Sequence, residues 1–209
     1  MMKELALHVL DIGENSVRGD GKNVEIVLME DLKENILEIR IIDDGRGIPP
    51  EMLKTIKNPF TTSRTFRKVG LGIPFLNDTC MMCGGKLDIQ STVGVGTTVV
   101  ARMQHNNIDR PPLGDMPSTL MTLFSSHPEI AFTYRYLYRG PEDEELQEFE
   151  ISTPDLNEIL EGVPLSTPSV YMWVKEFLQE NMLLWLRLVL LVIFAADFFT
   201  RFKIFPLET

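Results

Sequence analysis

The first hundred residues carry hydrophobic side chains at two spacings, one typical of helices and the other of strands. Apolar residues recur every three to four positions over residues 3–18, which predicts an amphipathic helix. Residues 24–29 and 36–42 are rich in β-branched side chains and predict two strands. The remaining elements expected in this half are a short helix, a longer helix and two strands, at 51–56, 70–82, 86–91 and 97–104.

A polar segment that ends in two prolines, 106–113, is predicted to be a linker. Beyond it the pattern predicts three helices, at 117–126, 154–160 and 167–180, and a hairpin of two strands, at 130–138 and 146–151. Alternating aromatic residues on the first of these strands favour a core-facing surface, and the acids of the second favour solvent. The alternative is that the acidic strand recognises a basic protein partner.

The C-terminal tail differs in kind from the rest of the chain. Its apolar segment, 182–199, is about eighteen residues long, near the lower limit for crossing a bilayer. Three interpretations stay open: a membrane anchor, an apolar helix that docks on this or a partner chain, and an appended sequence without a selected role. The chain is thus divided into a first domain, the linker, a small acidic α+β extension and the tail, at 1–105, 106–113, 114–181 and 182–209.

Composition narrows the functional classes. The 209 residues are 44% hydrophobic, enough for a packed core, and the formal net charge is −10. Such an acidic chain is poorly suited to neutralising the phosphates of DNA or RNA, so we expect no nucleic-acid partner. The first half is nearly balanced in charge and is compatible with one bound polyphosphate. Because no signal peptide is visible at the N-terminus, we expect a cytoplasmic protein, with membrane contact through 182–199 as the alternative.

The two cysteines, Cys80 and Cys83, have the spacing of redox and metal motifs. A zinc site needs about four ligands, and His8, His105 and His127 form no ligand pattern with them. We therefore interpret the cysteines as two packed thiols on a helix.

The first predicted helix carries a narrow row of polar side chains. His8, Asp11, Asn15 and Arg18 follow one another at helical spacing, and apolar residues cover the other side. A solvated helix face is the usual explanation of such a row. The alternative is a row that faces a ligand.

A second candidate site lies at the end of the predicted strand 36–42. Asp43 follows the strand directly, and Gly45 and Gly47 come next, so that the backbone can turn sharply and a ligand can approach it closely. Further along, the aperiodic basic loop 61–69 would suit a lid over phosphates. The glycines at 70–72 precede a helix, whose free N–H groups attract anions.

These motifs occur in a specific order, and with that order residues 4–104 resemble the ATP-binding domain of the GHKL, or Bergerat, superfamily, which includes histidine kinases, gyrase and mismatch-repair ATPases. Asp-Ile-Gly-Glu-Asn-Ser at 11–16 resembles the N box of this family, and Asp-Asp-Gly-Arg-Gly-Ile at 43–48 resembles its first glycine box. The segments 58–62 and 70–73 resemble its phenylalanine motif and second glycine box. The last box is similar to Gly-Val-Gly-Thr-Thr at 94–98.

The resemblance implies a fold and a ligand. The fold would be α+β, a two-layer sandwich with a mixed, mainly antiparallel sheet covered by helices on one face. The ligand would be Mg²⁺-ATP, with Asp43 accepting a hydrogen bond from the adenine amine and the amide oxygen of Asn15 on the ion. The other nucleotide-binding positions implied are Gly45, Gly47, Ile48, Thr62, Arg64, Lys68, Gly70, Leu71, Gly72 and Thr98.

Catalysis would depend on Asp11, four residues before Asn15. Many relatives have Glu at that position, and the Asp here is one methylene shorter. A carboxylate there would orient the hydroxyl or water that attacks the γ-phosphate. Glu14 would point about a third of a turn away, so Asp11 is the better candidate. We do not expect His8 to be a phosphoryl acceptor, since it does not lie in a separate dimerisation helix.

The sequence leaves two functional hypotheses. The first is a signal-transduction kinase or ATPase of the GHKL class, similar in layout to stand-alone anti-sigma-factor kinases, which passes the γ-phosphate to a protein partner or to water. The second is a non-catalytic ATP-sensing module that regulates a partner protein. The oligomeric state is open, a homodimer included.

Overall fold

The computed structural model describes residues 2–56 and 72–183. The helices are α1 (Leu5–Arg18), α2 (Pro50–Leu53), α3 (Gly72–Met82), α4 (Met116–Ser126), α5 (Thr153–Ile159) and α6 (Pro168–Leu183). The strands are β1 (Asn23–Asp31), β2 (Ile36–Asp43), β3 (Lys86–Thr92), β4 (Gly96–Gln104), β5 (Ala131–Arg139) and β6 (Gln147–Ser152). The helices and strands predicted from the periodicity of this part of the chain are thus confirmed.

The strands form one six-stranded sheet in the order β3-β4-β2-β1-β5-β6. Neighbouring strands are antiparallel except for β1 and β5, which are parallel. The helices pack on the face where alternate strand residues, such as Ile26, Ile39 and Ala101, are buried. This arrangement confirms the predicted α+β fold with a mixed, mainly antiparallel sheet.

The second half of the chain continues the sheet of the first half. β5 pairs with β1 along its whole length, from Asn23 opposite Ala131 to Asp31 opposite Arg139. The division into a first domain at 1–105 and an extension at 114–181 stays a prediction, and the hydrogen-bonded sheet runs across it.

The predicted linker contacts the start of α1. The N–H groups of Leu5 and Ala6 donate to the carbonyl oxygens of Pro112 and Leu113, at 3.0 and 2.8 Å. Glu4, at the N-cap position, makes no side-chain capping bond. Since the first N–H groups of a helix have no partner within it, the linker segment caps α1.

The aromatic row of β5 faces the core, as the alternation predicts. Phe132 and Tyr134 are fully buried, and the Phe132 ring lies 5.5 Å from that of Phe124 in α4. On the other face Arg135 forms ion pairs with Glu148 and Glu150 of β6, which confirms that these acids face solvent.

Cys80 lies in α3 and Cys83 just beyond its end, and both side chains are buried, which confirms that they are packed in the core. Burial raises the pKa of the Cys83 thiol. Among residues 2–56 and 72–183, none of the helices combines the length and the apolar character needed to cross a bilayer. The apolar segment predicted at 182–199 lies almost entirely outside the described residues.

Candidate functional site

A cavity of about 490 Å³ lies between α1, the turn after β2, the start of α3 and strand β4. Its walls are largely apolar, and its polar side chains come from α1, the end of β2, the turn after it and β4. The apolar lining residues are Ile12, Ile48, Pro49, Met52, Ile56, Ile73, Val93 and Val99. The polar lining side chains are Asn15, Ser16, Arg18, Asp43, Arg46 and Thr97. A largely apolar cavity with a few polar groups suits a partly polar ligand.

Asp43 is the acid within this apolar space. It is the last residue of β2, half-buried, with both carboxylate oxygens hydrogen-bonded. Oδ2 accepts a hydrogen bond from Ser16 Oγ at 2.8 Å, and Oδ1 accepts one from the Gly45 N–H at 3.0 Å. Each oxygen can accept a further bond, so the carboxylate can receive a donor from the cavity.

The turn after Asp43 is held from both sides. On the α1 side, the Arg46 N–H donates to the Gly19 carbonyl at 2.8 Å. On the β3 side, the Ile48 N–H donates to Ser91 Oγ at 2.8 Å. Gly47 has φ +71°, and a Cβ there would overlap the Thr92 backbone, so glycine is required for the close approach.

The polar row predicted on α1 is split by the fold. His8 is fully buried and both its ring nitrogens lack a hydrogen-bond partner, whereas Arg18 is exposed. Asp11 and Asn15, between them, are half-buried, and Asn15 Nδ2 lies 3.4 Å from Asp11 Oδ2. Asn15 lines the cavity, and its Oδ1 accepts a bond from Arg18 Nη1 at 3.3 Å.

Asp11 lies against the first residue of α3. A Cβ added at Gly72 would overlap Oδ2 of Asp11, so the carboxylate occupies the space beside this glycine. The next residue, Ile73, lines the cavity. The structure therefore places Asp11 at the point where α1 meets the N-terminus of α3, where backbone N–H groups favour negative charge.

Glu14 contacts His127 and Arg18. Its Oε1 lies 2.9 Å from Nε2 of His127, just beyond α4, and its Oε2 lies 3.6 Å from Nη2 of Arg18. Of the two acids beside Asn15 that the sequence offers, Asp11 is the one that lies beside α3.

Thr97, and not its neighbour Thr98, lines the cavity, because side chains alternate along strand β4. Thr97 pairs with Asp43 across the sheet and lines the cavity. Thr98 is placed outside this cavity and lines a more open groove of about 560 Å³ beside Glu25 and Thr133. Successive side chains of a strand point to opposite faces, so the threonine on the Asp43 side is Thr97, not the predicted Thr98.

Some of the other predicted residues lie at the cavity, and some lie outside the described residues. Gly47 and Ile48 line the cavity with Asn15 and Asp43, and Gly45 binds Asp43 through its N–H. Five predicted residues lie outside the described part of the chain, namely Thr62, Arg64, Lys68, Gly70 and Leu71. The sequence analysis missed Ser16 and Thr97. Counting the strand alternation from the Asp43 pairing would have found Thr97, but no local pattern indicates the contact of Ser16.

A protein family and two bacterial kinases are similar to the first half of this chain. Residues 2–107 match the model of the family described as histidine kinase-, DNA gyrase B-, and HSP90-like ATPase. The histidine protein kinase DivJ of Caulobacter vibrioides is 28% identical over 99 residues, which cover 46% of this chain and 17% of DivJ. Sporulation kinase D of Bacillus subtilis is 30% identical over 91 residues, which cover 44% of this chain and 18% of that kinase. The chain therefore spans less than a fifth of these relatives.

Two solved structures are also similar. One is the ATPase domain of MutL from Aquifex aeolicus in complex with ADP, with 16% identity and a TM-score of 0.44 over 78% of this chain and 69% of that one. The other is the N-terminal domain of a DNA repair protein, with 16% identity and a TM-score of 0.49 over 72% of this chain and 52% of that one.

Proposed function

We propose that the cavity beside Asp43 is the ATP site of this chain, which belongs to the histidine kinase-, DNA gyrase B- and HSP90-like ATPase family. The observation that carries the proposal is an acid at one side of an apolar cavity, with a hydrogen bond already made to each oxygen. The adenine ring fits the apolar walls, and its exocyclic amine donates to Asp43. A guanine carbonyl at the same place would meet an acceptor, which favours ATP over GTP.

Magnesium fits this site through a single protein ligand. Among residues 2–56 and 72–183, no group of three or more His, Cys, Asp or Glu could hold a metal ion. The Asn15 amide oxygen at the cavity wall suits an ion that takes most of its ligands from phosphate and water. When bound, Mg²⁺ would neutralise phosphate charge.

The proposed reaction is transfer of the γ-phosphate to a partner protein or to water. Asp11 would accept the proton of the attacking hydroxyl or water. The oxygen of that nucleophile bonds to the γ-phosphorus while the bond to the β-phosphate oxygen breaks, leaving ADP. The position of Asp11 beside Gly72 supports this role, because α3 would present its first N–H groups to the phosphates. DivJ and sporulation kinase D are kinases by name, which supports a protein as the acceptor.

Calorimetry with ATP tests the binding site. Asp43→Asn is expected to remove most of the affinity, because an amide can present its donor to the adenine amine. Asp44→Asn is the matched control, since the Asp44 carboxylate binds the Lys22 and Asn23 N–H groups and lies outside this cavity. Unchanged ATP affinity in the Asp43 variant would refute the assignment of the site.

Phosphate release, measured alone and with candidate partner proteins, tests the chemistry. Asp11→Asn should leave ATP affinity intact and lower turnover by about a hundredfold or more, the usual contribution of a general base. A wild-type protein that binds ATP without turnover under any condition would instead favour the ATP-sensing module.

A further inference from the structure

Ser16 makes a contact that the proposed roles do not use. It lies one residue beyond Asn15 in α1, and its side chain is 4% exposed. Its hydroxyl lies 2.8 Å from Asp43 Oδ2 and 3.3 Å from the Ile12 carbonyl oxygen. A hydroxyl has one proton to donate, and the shorter, charge-assisted bond to the carboxylate is the stronger of the two. The Ser16 proton is therefore assigned to Asp43.

The two residues are fixed relative to each other by the backbone around them. The Gly21 N–H donates to the Ser16 carbonyl at 3.1 Å, which holds the end of α1. The Arg46 N–H donates to the Gly19 carbonyl at 2.8 Å, which ties the turn after Asp43 to the same end of the helix. Ser16 and Asp43 are thus held together although they are 27 residues apart in the chain.

We propose that Ser16 is a positioning residue that sets the recognition of the adenine amine by fixing the Asp43 carboxylate. The inference rests on the proposed ATP site and deepens it. With Ser16 on Oδ2 and the Gly45 N–H on Oδ1, the plane of the carboxylate is set from two sides. The remaining acceptor positions are then presented to the cavity, where they match a donor on the base.

Loss of the Ser16 hydroxyl would free one side of the carboxylate. Asp43 could then rotate about its side-chain bonds, and the bond to the adenine amine would lose its alignment. A hydrogen bond to a charged group is typically worth about tenfold or more in an equilibrium constant. We therefore expect Ser16→Ala to weaken ATP binding by about tenfold.

The experiment compares ATP with purine riboside triphosphate, which lacks the exocyclic amine but is otherwise the same nucleotide. Affinities of the full chain for both ligands are measured by calorimetry, in the wild type and in Ser16→Ala. Wild type should prefer ATP by about tenfold, and Ser16→Ala should lose that preference by weakening ATP alone. Ser125→Ala is the matched control, because Ser125 is a helical serine whose hydroxyl donates to the Met121 carbonyl instead of a carboxylate and which lies outside the cavity.

The comparison separates positioning from a general structural role. If Ser16→Ala weakens both nucleotides equally, or neither, the proposal is refuted. If wild type binds no ATP, the proposed function fails as well. Ser16→Cys serves as a nearly isosteric second variant should the alanine variant not fold, and its weaker donor should reduce the preference for ATP; a full preference in that variant would also refute the proposal.

Discussion

His8 and Asp11 lie one turn apart on α1 and have very different surroundings. His8 is fully buried, and both its ring nitrogens lack a hydrogen-bond partner. Burial lowers the pKa of His8, and nearby Asp11 only partly opposes this effect. The imidazole is therefore neutral in the folded protein at neutral pH, because an unpaired buried charge is costly.

This burial predicts a pH-dependent stability. In the unfolded chain His8 gains a proton as the pH falls through its usual value near 6.5, while the folded protein resists protonation. The unfolded state then binds more protons than the folded state, so the free energy of unfolding decreases as the pH is lowered below about 6.5. Urea unfolding between about pH 5 and 8 should show a smaller slope in His8→Leu than in wild type.

The matched control for this slope is His105→Leu, since the His105 ring is paired with Glu30 at 2.8 Å rather than unpartnered. That variant should keep the decline in stability that wild type shows on acidification. Equal slopes in wild type and His8→Leu would contradict the assignment.

Gly72 gives a second prediction at the residue scale. A Cβ in Gly72→Ala would overlap Oδ2 of Asp11 and push the carboxylate away from the start of α3. Displacement of a reacting group by about 1 Å can cost a hundredfold in rate, so we expect turnover to fall by about that factor. Gly162→Ala is the control for a destabilising glycine substitution that leaves Asp11 in place. Its φ of +88° disfavours alanine, but nothing lies within 4 Å of the added methyl and the residue follows α5, outside the cavity, so turnover per folded molecule should be unchanged. Full turnover in Gly72→Ala would remove Asp11 from the mechanism.

At the scale of elements, α1 is held in place by α4 and by the residue that follows α4. Leu123 of α4 packs against Gly13, where an added Cβ would lie 2.9 Å from Leu123 Cδ1. His127 binds Glu14 on the same side of the helix. Both contacts come from beyond residue 107, where the match to the family ends. Elements outside the family match therefore hold the helix that carries Asp11 and Asn15.

One ion pair at the end of the β1–β5 pairing joins Asp31 of β1 to Arg139 of β5. Asp31 is 4% exposed, and its carboxylate is held by two bonds from Arg139, of which that from Nε measures 3.0 Å. These bonds are the main reason that the pKa of Asp31 lies below its usual value. Asp31 therefore contributes stability at neutral pH that is lost as the pH falls through its lowered pKa.

Arg139→Ala should accordingly lower the free energy of unfolding at pH 7 by more than Lys86→Ala does, because it removes the ion-pair partner of the Asp31 carboxylate. The effect should shrink in acid, where Asp31 becomes protonated. Lys86→Ala is the control, since Lys86 and Asp88 form an ion pair with both side chains exposed and such pairs contribute about 0–1 kcal/mol. Urea unfolding of the wild type and the two variants provides the measurement. Equal losses of unfolding free energy in Arg139→Ala and Lys86→Ala would refute the larger contribution of the Asp31–Arg139 pair.

For the whole molecule, the six-stranded sheet joins the family-matched segment to the later strands β5 and β6. β1 lies between β2 and β5, so residues 2–107 alone would leave an apolar strand at the sheet edge. They would also lose the caps from Pro112 and Leu113 on α1. We therefore expect that the family-matched segment does not fold as a unit by itself.

A chain that ends at residue 107 should consequently lack a cooperative thermal transition. A chain that ends at residue 183 keeps all the helices and strands described above and should melt in a single transition. Circular dichroism of both proteins provides the measurement. Cooperative melting of the shorter chain would support the predicted domain division near residues 106–113.

The sequence by itself determined the order of helices and strands, the strand-end acid Asp43 and the motif order that identifies the family. These features depend on spacings within a few residues, which local geometry fixes. Only the tertiary structure decided that Ser16 binds Asp43, that Thr97 rather than Thr98 faces the cavity, and that β5 pairs with β1. Such contacts depend on which strands pair and on segments far apart in the chain. The periodicity within one strand tells which residues share a face, but it does not tell which distant segment that face meets.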